Sequence, residues 1–197
     1  MWLSLRLHLI DESYIFNIKD FTNNSTQDNN MFSRESTLEL SLLYQLSIKE
    51  SGTYEIFGDW DYLSHQVIAS PFKPIQWVDK MDIFGYRYVK GFYPTVSKYL
   101  VAELKREEAI LEDIDQLLKY VDWINSEYSL GDYSMIKAYL VASEFSQEVI
   151  DYTRDVGKRF YTTILRDDRT SEIWDDITLV KYKYDTYKER THFEVIK

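Results

Sequence analysis

Cysteine is absent from this chain, which removes a disulfide framework, a thiolate metal site and a cysteine nucleophile together. Glycine and proline are scarce, at six and three residues. No phosphate-binding loop, dinucleotide fingerprint or Gly-x-Ser-x-Gly elbow occurs, and so few glycines leave the backbone little room to wrap a phosphate. Nucleotide-dependent catalysis is thereby excluded, and no cofactor is expected. Histidine is nearly absent too, with His8, His65 and His192 the whole complement, so general acid-base options are few. No window approaches the ~18 consecutive apolar residues that span a bilayer, and a net charge of −10 is repelled by anionic lipid. A membrane partner is not expected. The stretch from Met1 to Ile10 alternates apolar and polar residues instead of placing an apolar run behind a basic start, which predicts a cytoplasmic protein.

What is present is apolar content, aromatic residues and unevenly placed acid. Hydrophobic residues make up 45% of 197 positions, enough to bury the core of one domain over 1–197. Aromatics reach 16%, with 17 tyrosines and five tryptophans, and such side chains are over-represented at binding surfaces.

The periodicities predict strands in 1–94, helices in 95–157 and strands again in 158–197. Leu3, Leu5, Leu7 and Leu9 alternate with polar residues, the period of a half-buried strand, and Tyr14–Ile18 pairs with it as a hairpin. Residues 20–36 read as a polar loop. Leu38, Leu40, Leu42, Tyr44, Leu46 and Ile48 occupy alternate positions and predict a third strand; 53–57 predicts a fourth. Between 62 and 94 the prolines and glycines predict loops and short strands. From Thr95, apolar residues recur at spacings of three and four as far as Ile124, predicting a long amphipathic helix. Asp132 is a natural cap for a second helix that ends at Gly157, where a left-handed residue is tolerated. Strands follow at 159–165, 177–184 and 192–196. The expected architecture is α+β: an antiparallel sheet with a helical hairpin packed on one face.

Thirteen acidic side chains against five basic ones lie in 101–156, a net of −8 out of the total −10. A one-signed face steers association with an oppositely charged surface. With little catalytic apparatus in view, the pattern predicts an acidic inhibitor of the immunity-protein type, neutralising a basic toxin or nuclease by stoichiometric binding. Its expected contacts are Glu107, Glu108, Glu112, Asp113 and Asp115 on the first helix, Glu144, Glu148 and Asp151 on the second, and Tyr120, Trp123, Tyr128 and Tyr133 as aromatic anchors. The alternative is a metal-dependent hydrolase, because Asp59, Asp61 and His65 fall within seven positions after a predicted strand and two carboxylates suit a hard cation. No other metal constellation stands out: His192 and Glu194 share a strand face but have no third ligand. Direct nucleic-acid binding is not expected, since it needs clustered lysine and arginine. The one mildly basic segment, 181–197, nets +2 and is interleaved with Tyr182, Tyr184, Tyr187 and Phe193.

Overall fold

The computed structural model describes residues 18–26, 30–71, 74, 77–165 and 168–196; the predicted strand at 3–9 and most of its partner at 14–18 lie outside them. Three helices come first: α1 (Ile18–Asn24), α2 (Glu35–Ser47) and α3 (Ser51–Phe57). Then follow β1 (Tyr62–Ile68), β2 (Lys80–Tyr88), β3 (Val96–Leu104), β4 (Glu108–Ala109) and α4 (Leu111–Glu127). The chain continues through β5 (Ile136–Ala142), β6 (Glu144–Phe145) and α5 (Gln147–Val156), and closes with β7 (Arg159–Leu165), β8 (Asp168–Trp174), β9 (Ile177–Asp185) and β10 (Arg190–Val195).

The α+β class stands, and the sheet is mixed. Six strands run in the order β1-β2-β3-β5-β9-β10, with β3, β5 and β9 parallel and the outer pairings antiparallel. One face is covered by α4, which packs on β3 and β5 and carries α5 beside it. Ile114, Leu117, Val121 and Ile124 of α4 meet Val101, Leu140 and Leu179 there. The opposite face is covered by α2 and α3, where Leu38, Leu42, Leu46 and Phe57 meet Ile83, Leu100, Tyr139, Val180, Tyr182 and Phe193.

Covering both faces explains the main departures from the sequence reading. Central strands buried on both sides carry continuous apolar runs instead of alternating ones. Residues 99–102 and 138–142 are such runs, buried throughout, and a continuous run matches a helical template as well as a strand one. The expected helices at 95–124 and 132–156 are therefore each part strand, and α4 and α5 are separated in sequence by β5 and β6. In α2 the confusion is reversed. Leu38, Leu42 and Leu46 satisfy both periods, but Tyr44 is 38% and Ile48 55% exposed, while Thr37, Ser41 and Gln45 are buried. The Ser41 and Thr191 hydroxyls share a hydrogen bond of 2.6 Å, and the Thr53 hydroxyl donates to Gln45 Oε1 at 3.0 Å. The backbone groups of α2 are satisfied within the helix, and these polar side chains find their partners across the core. The carboxylate of Glu50 accepts from the Thr53 N–H at 3.0 Å and starts α3 as a helix, not a strand.

Two turn features also resolve differently. Asp132 does cap, accepting from the Ser134 N–H at 2.9 Å, but what it caps is the single turn Tyr133–Met135 leading into β5. Gly157 ends α5 with φ −74°; glycine is needed there because a Cβ would lie 2.3 Å from the Thr153 carbonyl oxygen. No helix among the described residues is long and apolar enough to cross a membrane.

Candidate active site

Registers across three strands place the chemistry. The pairing of Ile83 with Ala102 sets Asp82 opposite Glu103, and the pairings of His65 with Ile83 and Val67 with Met81 set Gln66 opposite Asp82. A polar row thus crosses β1, β2 and β3, flanked by the fully buried Met81, Ile83, Ala102 and Leu104. Gln66 is exposed, Asp82 half-buried and Glu103 buried, and a polar group taken out of water is costly unless bonded. Asp82 Oδ2 accepts the Leu104 N–H at 2.8 Å, and the Gln66 amide donates to Asp82 Oδ1 at 3.1 Å and to Glu39 Oε1 of α2 at 2.9 Å. Gln66 adopts φ +52° inside β1, a left-handed conformation that costs a non-glycine residue on the order of 1 kcal/mol and concentrates at functional sites.

Lys105 lies just past the end of β3, two residues from Glu103. Its ammonium is 2.8 Å from Glu103 Oε1 and 3.4 Å from Asp113 Oδ1. Asp113 in turn accepts the Ile110 N–H at 2.9 Å and caps α4, the helix that carries it. Glu103 is 1% exposed, and its second oxygen, Oε2, is buried with no hydrogen-bond partner. Burial, followed by the charge of Asp82, pushes Glu103 up to about 8 despite the lysine. Burial also raises Asp82 and Glu39, the latter with the Asp82 charge added. Burial works against a charge on Lys105, but the Glu103 hydrogen bond and the neighbouring carboxylates outweigh it and hold the ammonium above its usual range. At neutral pH Lys105 is therefore charged, balanced by Asp113, and the Glu103 carboxyl is mostly protonated. Behind the row, Tyr120 is 2% exposed and its hydroxyl accepts from Gln116 at 2.8 Å. Burial, with the nearby carboxylates, pushes it up to about 12, so the phenol keeps its proton.

Asp82 and Glu103, the latter with one oxygen unpartnered, are the pair of carboxylates here that could hold a small hard cation. Among the described residues no group of three or more His, Asp or Glu is arranged as a complete metal cage. Mg²⁺ does not require one, because it is held through one or two carboxylates with water and substrate phosphate completing the shell.

The residues singled out from sequence fall elsewhere. Asp59 is ion-paired to Lys49 at 2.9 Å and Asp61 accepts the Tyr88 N–H at 2.8 Å, and among the described residues they form no group of three metal-ligating side chains with His65. His65 alone reaches the true cluster, its Nδ1 lying 3.6 Å from Glu39 Oε2. The carboxylates of the expected acidic face lie on β3, β4, α4, β6, α5 and the turn before β4, and several of them are paired with cations. Glu103 and Asp113 meet Lys105, Glu107 meets Arg106, Asp122 meets Arg159 at 2.7 Å, Glu144 meets Lys181, and Asp151 meets Arg154 at 3.0 Å. Asp115 accepts from the Tyr152 hydroxyl at 2.9 Å; Glu108, Glu112 and Glu148 are exposed on separate elements. Of the expected anchors, Tyr120 is buried beside the carboxylate row and Trp123 is partly buried in the α4 core. Tyr128 packs on Phe84 and Tyr99, and Tyr133 donates to Asp122 at 3.0 Å.

The sequence reading missed Glu103 and Lys105 as chemistry and counted Glu103 as helix surface. The signal was present: a carboxylate and an ammonium two residues apart, on one strand face, directly after the apolar run from Tyr99 to Ala102. A charge continuing a doubly buried strand is expensive to keep there.

No protein-family model matches the chain, and no curated protein matches it. Three solved structures are partly similar. One is a repair endonuclease from Pyrococcus abyssi, at 22% identity and TM-score 0.39, covering 63% of this chain and 45% of that one. Another is EndoMS in its apo form, at 24% identity and TM-score 0.31, covering 45% and 36%. A third is a complex of EndoMS with double-stranded DNA, at 16% identity and TM-score 0.36, covering 74% and 45%. The chain spans under half the length of each. These structures are endonucleases and none is an inhibitor. With the ion pairs above, that corrects the immunity-protein reading and its basic protein partner. The exclusion of direct nucleic-acid binding, drawn from overall charge, is withdrawn with it, because net charge says nothing about where the cations lie.

Proposed function

We propose that the chain is a metal-assisted phosphodiester hydrolase acting on nucleic acid, with Asp82, Glu103 and Lys105 as its catalytic residues. The observation that carries this reading is Glu103: fully buried, held against Asp82 and Lys105, with one oxygen left without a partner. A protein keeps such a costly arrangement where a ligand completes it. Asp82 and the orphaned Glu103 oxygen are the groups that would hold the cation. Such an ion supplies a nucleophile by acidifying bound water and neutralises charge on the phosphoryl oxygens. Lys105, held as a cation, stabilises the negative charge that develops on those oxygens as water attacks. Gln66 fixes the orientation of Asp82 and ties it to Glu39 on α2. No cysteine is available, and the one nearby histidine lies against Glu39, so water is the nucleophile that fits.

The test is cleavage of labelled oligonucleotides, and of a small aryl phosphodiester, with Mg²⁺ or Mn²⁺ against EDTA. Asp82→Asn, Glu103→Gln and Lys105→Met are each expected to lower the rate at least 100-fold. Cleavage that persists in Glu103→Gln, or in EDTA, overturns the reading.

A further inference from the structure

The mildly basic C-terminal segment is split by the fold into an inner and an outer half. Tyr182, Tyr184 and Phe193 turn into the core, whereas Lys183, Tyr187, Lys188, Arg190 and His192 turn out. Lys183 faces His192 across the β9–β10 pair, so a cation stands opposite an imidazole and not a carboxylate. An open cleft of about 430 Å³ here is lined by Asn30, Lys183, Asp185, Lys188, Arg190 and His192. Its single acid is already committed: Asp185 accepts the N–H groups of Tyr187 at 3.0 Å and Lys188 at 2.9 Å, and these bonds hold its carboxyl below the usual range. Arg190 is paired with Glu50 at 2.7 Å and Lys188 Nζ lies 3.9 Å from Asp185 Oδ2, so three cations, Lys183 among them, meet two carboxylates. The cleft is thus a local excess of positive charge on a protein of net −10. At its rim, on the turn between the two strands, Tyr187 is 93% exposed with nothing to shield its ring.

We infer that this cleft binds the backbone of a single-stranded nucleic acid, with Tyr187 as a stacking platform for an unpaired base; the inference rests on the hydrolase reading for the site that acts on that strand. Charge complementarity to phosphate and an exposed aromatic ring beside it are the two elements of sequence-tolerant strand binding. The cleft also shares a sheet face with the active site. Glu103, Leu140 and Leu179 stand in one row across β3, β5 and β9, and period-two alternation puts Lys183 on the same sheet face as Glu103. Lys183 lies two strands across and four residues along, roughly 16 Å from Glu103 at ~4.8 Å per strand and ~3.3 Å per residue. That is the spacing between the cleft and the carboxylate row, on a face that α4 covers over Glu103.

The experiment is fluorescence anisotropy with labelled oligothymidylate and with a blunt duplex, in EDTA, from 50 to 200 mM salt. It is run alongside Mg²⁺-dependent hydrolysis of the small aryl phosphodiester. Lys183→Glu combined with Lys188→Glu is expected to weaken oligothymidylate binding at least tenfold and to flatten the log–log salt dependence by about 1.4, at ~0.7 per phosphate contact for single strands. Tyr187→Ala is expected to weaken it about tenfold with the slope unchanged, and both variants should keep the small-diester rate. Thermal melts confirm folding, and Lys183→Gln with Lys188→Gln serves if the reversals unfold. Unchanged affinity in these variants, no oligothymidylate binding by the parent at 50 mM salt, or tighter duplex binding indifferent to Tyr187 overturns the inference. Loss of small-diester hydrolysis in the parent overturns the hydrolase reading instead, whatever the anisotropy shows.

Discussion

Glu103→Gln should stabilise the fold while abolishing its proposed activity, and the size of the gain follows from burial. An ordinary glutamate titrates near 4.5, whereas burial and Asp82 hold Glu103 at about 8. The native state therefore keeps a proton that the unfolded chain releases, and the sign is fixed. The stability linked to that proton is complete below about pH 4.5 and is lost progressively as pH rises to about 8. At pH 7, with ~1.4 kcal/mol for each unit above the unfolded value, the penalty is about 3 kcal/mol. Glutamine copies the protonated side chain in shape and charge, still accepts from Lys105, and does not titrate. Thermal unfolding in EDTA at pH 5, 6, 7 and 8 should show the parent Tm falling with pH relative to the variant. The gap at pH 7 should be roughly 6–12 °C, from 2–4 °C per kcal/mol for a chain of this size. Adding Mg²⁺ should raise the parent Tm by ligand linkage and leave the variant unmoved. A variant less stable than the parent at pH 8, or two curves that run parallel, refutes the reasoning, since either means that Glu103 is solvated or fully compensated by Lys105.

Other substitutions test the remaining parts of the structure. Lys105→Met leaves Glu103 and Asp113 facing each other without their shared cation, and should cost about 3–5 kcal/mol in denaturant unfolding at pH 8. At pH 5 the loss should be smaller, because Glu103 is then protonated. Leu42→Ala should cost about 2–5 kcal/mol, because Leu42 is fully buried between α2 and the sheet; a loss below 1 kcal/mol would refute that packing. Gly85→Ala places a Cβ 2.7 Å from the Tyr62 carbonyl and 2.8 Å from Leu63. It should push the edge strand β1 away, costing on the order of 1–3 kcal/mol, and should lower the cleavage rate through Gln66 on that strand. Arg159→Ala, by contrast, removes a half-exposed two-point pair with Asp122 and should cost on the order of 1 kcal/mol.

The part of the fold legible in the sequence was the part governed by local pattern. The β-favouring run Tyr161, Thr162, Thr163 and Ile164 marks β7, alternation in Thr178, Val180, Tyr182 and Tyr184 marks β9 because its two faces differ, and the α4 spacing of Ile114, Leu118, Val121 and Ile124 marks a helix with one buried side. The exclusions that follow from missing cysteine and scarce glycine also belong to the sequence alone. Tertiary structure decided what α2, β3 and β5 are, because a segment buried on both faces, or one whose leucines fit two periods, carries no local instruction. It decided the charge pattern too, since Arg159 and Lys181 lie 37 residues from the carboxylates they neutralise. The candidate site required it most of all. Gln66, Asp82 and Glu103 are far apart along the chain, and only the register of three strands, itself set by which residues the two cores bury, brings them into one row.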